Sequence, residues 1–269
     1  MRVSACLLVL LAVGAASCGG GGDSAGGDAS KRAVPKQPPP ALAARCGPDG
    51  RNLKAELVWF RARDGTLLDG AAVGDGDVAV VLAHEYPSNL CLWLPYAKTL
   101  ADHGFRAFVF DFRGLGKSQS AKPYQDAGRY DWDVEAAADE VRRLGAKKVF
   151  LAGASAGGTA VLVAGASVSP TPAGIISFSG VTYFSDSLDA LKTAPSLTAP
   201  LLLLVARYDR SVTVADYRKL ESKVASDDKS LATYSGGWHG WELVYSAPYK
   251  GQVNQRVLDF LNEHSGDGE

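Results

Sequence analysis

The sequence predicts an α/β protein with a mostly parallel sheet covered by helices on both faces. Three observations carry this. Short, continuous apolar runs such as Val78–Ala83 and Leu201–Ala206 have the length and composition of strands buried on both faces. These runs alternate along the chain with segments of helical periodicity. Between Lys147 and Ala164 an apolar run passes through a turn of small residues straight into a helix, with Gly153-Ala154-Ser155-Ala156-Gly157 at the turn. With 46% hydrophobic and 21% charged residues in 269, the chain has the composition of a globular protein. A net charge of −1 leaves no basic field for nucleic acid, so a nucleic-acid role is not expected.

Residues 1–17 read as a secretory signal: Arg2 supplies the positive start, and Leu7 to Val13 form an apolar core too short for a permanent span. Ala15-Ala16-Ser17-Cys18 resembles a bacterial lipobox, with alanine at the position usually held by leucine. That resemblance implies a lipid on Cys18 and an exported protein held at the cell membrane; the alternative is plain cleavage nearby, with Cys18 left free. Residues 18–48 read as a Gly- then Pro-rich linker, and residues 49–265 as one domain. Of the four cysteines, Cys6 leaves with the signal and Cys18 is the lipid candidate. Cys46 and Cys91 remain, and an exported setting favours a disulfide between them over two buried thiols.

Within the domain, Ala55–Phe60 and Thr66–Ala71 read as a hairpin around Asp64-Gly65. Val78–Ala83 is the first buried strand, followed by the loop His84-Glu85-Tyr86-Pro87-Ser88-Asn89 and a helix from Leu92 to His103. Arg106–Phe112 is the next strand and leads into Asp111-x-Arg113-Gly114-x-Gly116-x-Ser118. Gly116-Lys117-Ser118 also matches the end of a phosphate-binding P-loop, but Asp111 stands where that motif needs glycine, so no nucleotide site is expected. Asp133–Leu144 is an amphipathic helix with acids early and Arg142-Arg143 late, as the helix dipole favours. Later elements are a strand at Gly174–Phe178, a connection over Val181–Leu197, a strand at Leu201–Ala206 and a helix at Val214–Lys223. A strand at Leu231–Tyr234 and a helix at Gln252–Glu263 close the domain.

Gly-x-Ser-x-Gly alone is a weak signal in a chain with 30 glycines, and Gly22-Asp23-Ser24-Ala25-Gly26 also fits it. Only Ser155 has a strand before it and a helix after it. There the motif resembles the nucleophile elbow of the α/β-hydrolase superfamily, in its serine esterase, dienelactone-hydrolase-like or serine-aminopeptidase-like branches. The Asp-x-Arg-Gly-x-Gly-x-Ser turn resembles that superfamily as well. The resemblance covers roughly residues 55–263 and implies a mostly parallel eight-stranded sheet. The short connection before Leu201 leaves no room for a large cap domain.

The resemblance also implies a nucleophile, acid and base in chain order, each following a sheet strand. Ser155 is the nucleophile. Asp209, after Leu201–Ala206, is the acid, with a helix N-cap as its alternative role and Asp186 as the fallback acid. His239, between glycines in Gly236-Gly237-Trp238-His239-Gly240, is the base. The oxyanion hole would use the backbone N–H groups of Ala156 and Tyr86, the latter in a loop similar to His-Gly-x-Pro but with Glu85 in place of glycine. Tyr183, Phe184, Trp238 and Trp241 are candidates for the pocket lining or for packing. The expected activity is hydrolysis of small or short-chain carboxylic esters through an acyl-enzyme, by a monomer, without metal or cofactor. A peptidase or amidase of the same fold, or a catalytically silent binding lipoprotein, are the alternatives.

Overall fold

The computed structural model describes residues 33–266. The expected signal peptide, Cys18 and the second Gly-x-Ser-x-Gly at 22–26 lie outside the described residues.

Two helical turns open the domain, α1 (Leu42–Arg45) and α2 (Gly47–Gly50), followed by strands β1 (Ala55–Arg61), β2 (Leu67–Val73) and β3 (Val78–Ala83). A 3-10 turn at Leu90–Trp93 runs into α3 (Leu94–Asp102), then β4 (Arg106–Phe110), α4 (Tyr130–Arg143), β5 (Lys148–Ala154) and α5 (Ala156–Ala164). Strand β6 (Gly174–Phe178) leads to a small hairpin, β7 (Tyr183–Ser185) and β8 (Leu188–Asp189), and to α6 (Ala190–Thr193). The chain closes with β9 (Leu201–Ala206), α7 (Val214–Glu221), β10 (Lys229–Tyr234), α8 (Glu242–Tyr245) and α9 (Lys250–Ser265).

The main sheet has eight strands in the order β1-β2-β4-β3-β5-β6-β9-β10. The pairs β1–β2 and β2–β4 are antiparallel and the other pairs are parallel. One apolar layer holds residues of α4, α5 and α7, and the other holds residues of α1, α3, α8 and α9. Strands β3, β5, β6 and β9 lie between these layers, so every residue from Leu201 to Ala206 is buried. That two-sided burial is why those runs lack polar alternation. The parallel strands all end at one edge, and the loops after them form the site.

The expected linker gives way to folded chain earlier than its composition suggests. Pro39 and Leu42 are buried, and Leu42 joins the layer that contains Trp93 and Leu94. Arg45 forms an ion pair with the fully buried Asp69, and Cys46 is joined to Cys91 by a disulfide with Cα atoms 5.2 Å apart. The partners of this segment are distant in sequence, so local composition does not reveal them. The connection between β6 and β9 contains the β7–β8 hairpin and α6 and no cap domain.

The Asp-x-Arg-Gly-x-Gly-x-Ser turn is an anchoring device. Asp111 accepts the backbone N–H groups of Leu90 and Lys117, each at 2.7 Å. Ser118 Oγ donates to the Asp111 carbonyl and accepts the Asp69 N–H at 3.0 Å. Arg113 is buried against Asp133, which takes its backbone N–H and two guanidinium N–H groups at 2.7–2.9 Å. The turn therefore fixes the start of the segment that leads from the loop after β3 into α3.

Candidate active site

Ser155 occupies the bend between β5 and α5 with φ 50° and ψ −119°. An L-residue with such a φ is strained, and it persists only where the surroundings enforce it. Two contacts do so here. The Ser155 N–H donates to the Phe178 carbonyl at 3.0 Å, and the Ser155 carbonyl accepts the Thr159 N–H at 3.0 Å. Gly157 faces the carbonyl oxygens of Ala83 and His84, which a Cβ at this position would strike. The elbow is thus pressed directly onto the end of β3, where the loop with Tyr86 begins.

Asp209 follows β9 and is buried. Its carboxylate receives His239 Nδ1 at 2.8 and 3.0 Å and the backbone N–H of Ser211 at 2.8 Å. Burial disfavours its charge, but the hydrogen bonds from His239 and Ser211, with the Ser179 hydroxyl nearby, prevail and hold its pKa below the ordinary value. The fallback acid Asp186 is exposed and accepts the Tyr183 hydroxyl at 2.7 Å.

His239 is brought to the elbow by its neighbour. Gly240, at φ 54°, lies so close to the bend that a Cβ there would stand 3.6 Å from Ser155 N and 2.6 Å from Glu85 Oε2. Only glycine fits this contact. Glu242 accepts the His239 backbone N–H at 3.0 Å, which fixes the loop from the other side. Burial works against a charged His239, but the hydrogen bond and charge of Asp209, with Glu85 and Glu242 beyond, outweigh it and hold its pKa above 6.5.

The loop at 84–89, which carries Tyr86, is set by His84, which is wholly buried. His84 Nε2 accepts the Phe112 N–H at 3.2 Å, so the proton resides on Nδ1, which donates to the Glu85 carbonyl at 2.8 Å. In a planar trans peptide the C=O and the following N–H point in opposite directions. Holding the Glu85 carbonyl toward His84 therefore turns the Tyr86 N–H the other way. Ala156 is the first residue of α5, so its N–H has no partner within the helix.

Glu85, the departure from glycine in this loop, is half-buried, with Oε2 near the Trp241 N–H at 3.4 Å and against Gly240. Its side chain thus joins the loop at 84–89 to the His239 loop. Burial raises its pKa, opposed by the Trp241 N–H and by His239. Because a raised His239 pKa delays formation of the neutral base, the acid limb of kcat/KM is expected above pH 6.5. Glu85→Gln removes one of the three carboxylates and should move that limb to lower pH. Rate profiles of both proteins on p-nitrophenyl acetate test this; superimposed limbs would refute it.

Of the proposed lining residues, Tyr183 and Phe184 are exposed on β7, whereas Trp238 and Trp241 are half-buried beside the core. Sequence reading missed Ser179, the residue immediately after β6. It is fully buried at φ 50°, lies near Asp209, and its hydroxyl makes no hydrogen bond of ordinary geometry among the described residues. It also missed the Glu242 contact. Ser179 carries no local signal, because its role depends on the loop after β9, whereas Glu242 stands three residues after His239, a local spacing that could have flagged it.

The fold and this constellation define an α/β-hydrolase. A family model described as Hydrolase_4, serine aminopeptidase, S33, matches residues 75–188 and 181–242. The chain belongs to that family. It is similar to the uncharacterized protein YfhR of Escherichia coli K12, with 36% identity over 126 residues, 43% of each chain. The YfhR protein of Salmonella typhimurium is 35% identical over 121 residues, 41% of this chain and 40% of the other. The chain thus spans less than half the length of the curated relatives it matches. Among solved structures, the Pyrococcus furiosus esterase Pf2001 superposes with a TM-score of 0.70 at 18% identity, covering 87% of this chain and 100% of that one. A Paleococcus ferrophilus monoacylglycerol lipase gives 0.61 at 19% identity, with 73% and 99% covered. At these identities the likeness is one of fold.

Proposed function

We propose that the chain is a serine carboxylesterase in which Ser155, His239 and Asp209 form the catalytic triad. The observation that carries this is the Asp209–His239 hydrogen bond at 2.8 Å on a loop packed, through Gly240, against the strained Ser155 bend. Ser155 Oγ attacks the ester carbonyl carbon while His239 Nε2 takes its proton. Asp209 holds Nδ1 and balances the imidazolium charge. The carbonyl oxygen becomes an oxyanion facing the N–H groups of Ala156 and Tyr86. When the tetrahedral intermediate collapses, the C–O bond breaks and His239 returns the proton to the departing alcohol. Water, deprotonated by His239, then releases the acid by the same steps.

The absence of a cap among the described residues and the small side chains around the elbow favour small or short acyl groups. Export as a lipoprotein through Cys18 is part of this reading, supported by the lipobox-like sequence. The family's description favours an amidase or peptidase as the second reading.

The test is hydrolysis of p-nitrophenyl esters of increasing chain length, beside the matching p-nitroanilides, by the protein and its Ser155→Ala variant. Ester turnover with a short-chain optimum, lost in the variant, is expected. Turnover of anilides alone would favour the amidase, and equal rates in the two proteins would remove the hydrolytic reading.

A further inference from the structure

The large apolar side chains left exposed among the described residues are Val34 and six aromatics: Tyr86, Tyr124, Tyr183, Phe184, Tyr208 and Tyr245. All six aromatics lie on segments that follow β3, β4, β6, β9 and β10, at the edge where the parallel strands end and Ser155 sits. Tyr124 and Tyr208 are 85% and 71% exposed, far beyond what packing around a buried pocket would require. The turns at the opposite edge, at 74–77, 103–105, 145–148 and 225–228, carry no exposed large aromatic.

Charge follows the same division. The exposed charges on the site-side segments are mostly basic: Lys117, Lys122, Arg207, Arg210, Lys250 and Arg63, the last paired with Glu135, against Asp186. The acids Asp64, Glu85, Asp126 and Glu242 on the same segments are half-buried, so the outermost layer of this edge is basic. Tyrosines interspersed with Arg and Lys suit an interface where one layer is apolar and the next is wet and anionic.

The N-terminal chain also enters from this side. Ala33, the first described residue, has its carbonyl 3.0 Å from an Arg61 guanidinium nitrogen. Arg61 pairs with Leu67, and the Gln119 N–H from the loop after β4 donates to the Leu67 carbonyl. The β1–β2 turn is therefore at the Ser155 edge. Fourteen residues lie between Cys18 and Ala33. Such a segment reaches at most about 50 Å.

We propose that this aromatic and basic edge docks on an anionic bilayer surface, so that the Ser155 site faces the membrane and takes amphiphilic esters whose scissile bond lies at headgroup level. The substrate part rests on the esterase reading; the docking part does not. Tyrosine rings seat at headgroup depth, and the basic side chains meet the lipid phosphates. A lipid on Cys18 would hold the domain within that reach of the surface. No helix among the described residues is long and apolar enough to cross a membrane, and the proposed association is peripheral.

The test uses the full chain carrying Cys18→Ser, so that no acyl chain tethers it, in co-flotation with phosphatidylcholine vesicles containing increasing phosphatidylglycerol. The bound fraction is expected to rise with phosphatidylglycerol and fall with salt. Lys122→Glu/Arg210→Glu should weaken partition by about tenfold or more. Tyr124→Ser/Tyr208→Ser should weaken it at every salt concentration. Both double variants should hydrolyse dissolved p-nitrophenyl acetate like the parent, which shows that they are folded. No partition at any phosphatidylglycerol content, or equal partition of parent and variants, would overturn the proposal. Partition without ester hydrolysis by the parent would leave the docking edge standing and remove the esterase reading.

Discussion

Asp209→Asn is expected to lower kcat on a p-nitrophenyl ester by about 10,000-fold with little change in KM. His239 Nδ1 faces the Asp209 carboxylate at 2.8 Å, an arrangement that puts the ring proton on Nδ1 and leaves Nε2 free to accept the Ser155 proton. An asparagine can present its NH₂ to the ring instead. Nδ1 would then become the acceptor, and the proton would shift to Nε2, where it blocks base catalysis. Ser155→Ala should lose at least as much, and the double variant should lose no more than the worse single one, since the residues act as a unit. Stopped-assay kinetics on the three variants measure this. A loss of tenfold or less in Asp209→Asn would mean that Asp209 serves only as a structural anchor for the backbone of Ser211.

The second large effect concerns stability. Asp133→Ala should destabilise the domain by about 3–5 kcal/mol, because it leaves the Arg113 guanidinium buried without its main counter-charge. Both side chains of this pair are fully buried, and Asp133 takes three hydrogen bonds from Arg113. Asp64, at 2.9 Å from the other guanidinium nitrogen, offsets part of the loss. Arg63→Ala, which breaks an ion pair whose basic side chain is 54% exposed, should cost no more than about 1 kcal/mol. Urea unfolding of both variants at constant m-value gives the two numbers. Similar midpoints would show that Arg113 can be rehydrated in place.

Both predictions rest on residues that were not equally legible beforehand. Val78–Ala83, Gly174–Phe178 and Leu201–Ala206 fall on strands with the bounds read from sequence, because two-sided burial makes an apolar run with sharp polar ends. Helix starts were harder. Helix α4 begins at Tyr130 rather than Asp133, because Tyr130 stacks on Phe112 at 4.4 Å between ring centroids and is drawn into the core. The β7–β8 hairpin and α8 are too short to show a period. At the site, chain order and flanking glycines single out Ser155, Asp209 and His239. The sequence does not reveal that Glu85 reaches toward the Trp241 N–H, since that contact crosses from one loop to another. The carboxylate that looked out of place beside an oxyanion is engaged with the histidine loop.

The segment at 39–46 has a practical consequence for anyone recombining this protein. It looks like the end of a spacer, yet Leu42 fills the core, Arg45 neutralises buried Asp69, and Cys46 is bonded to Cys91 just after the loop that follows β3. The portable unit is therefore the domain together with this segment. A fusion that joins a foreign spacer at Gly47 would strand a buried carboxylate and leave an unmatched thiol. A junction before Pro39 would preserve both partnerships. The residues before the domain and the domain itself can be exchanged between proteins only across that earlier seam.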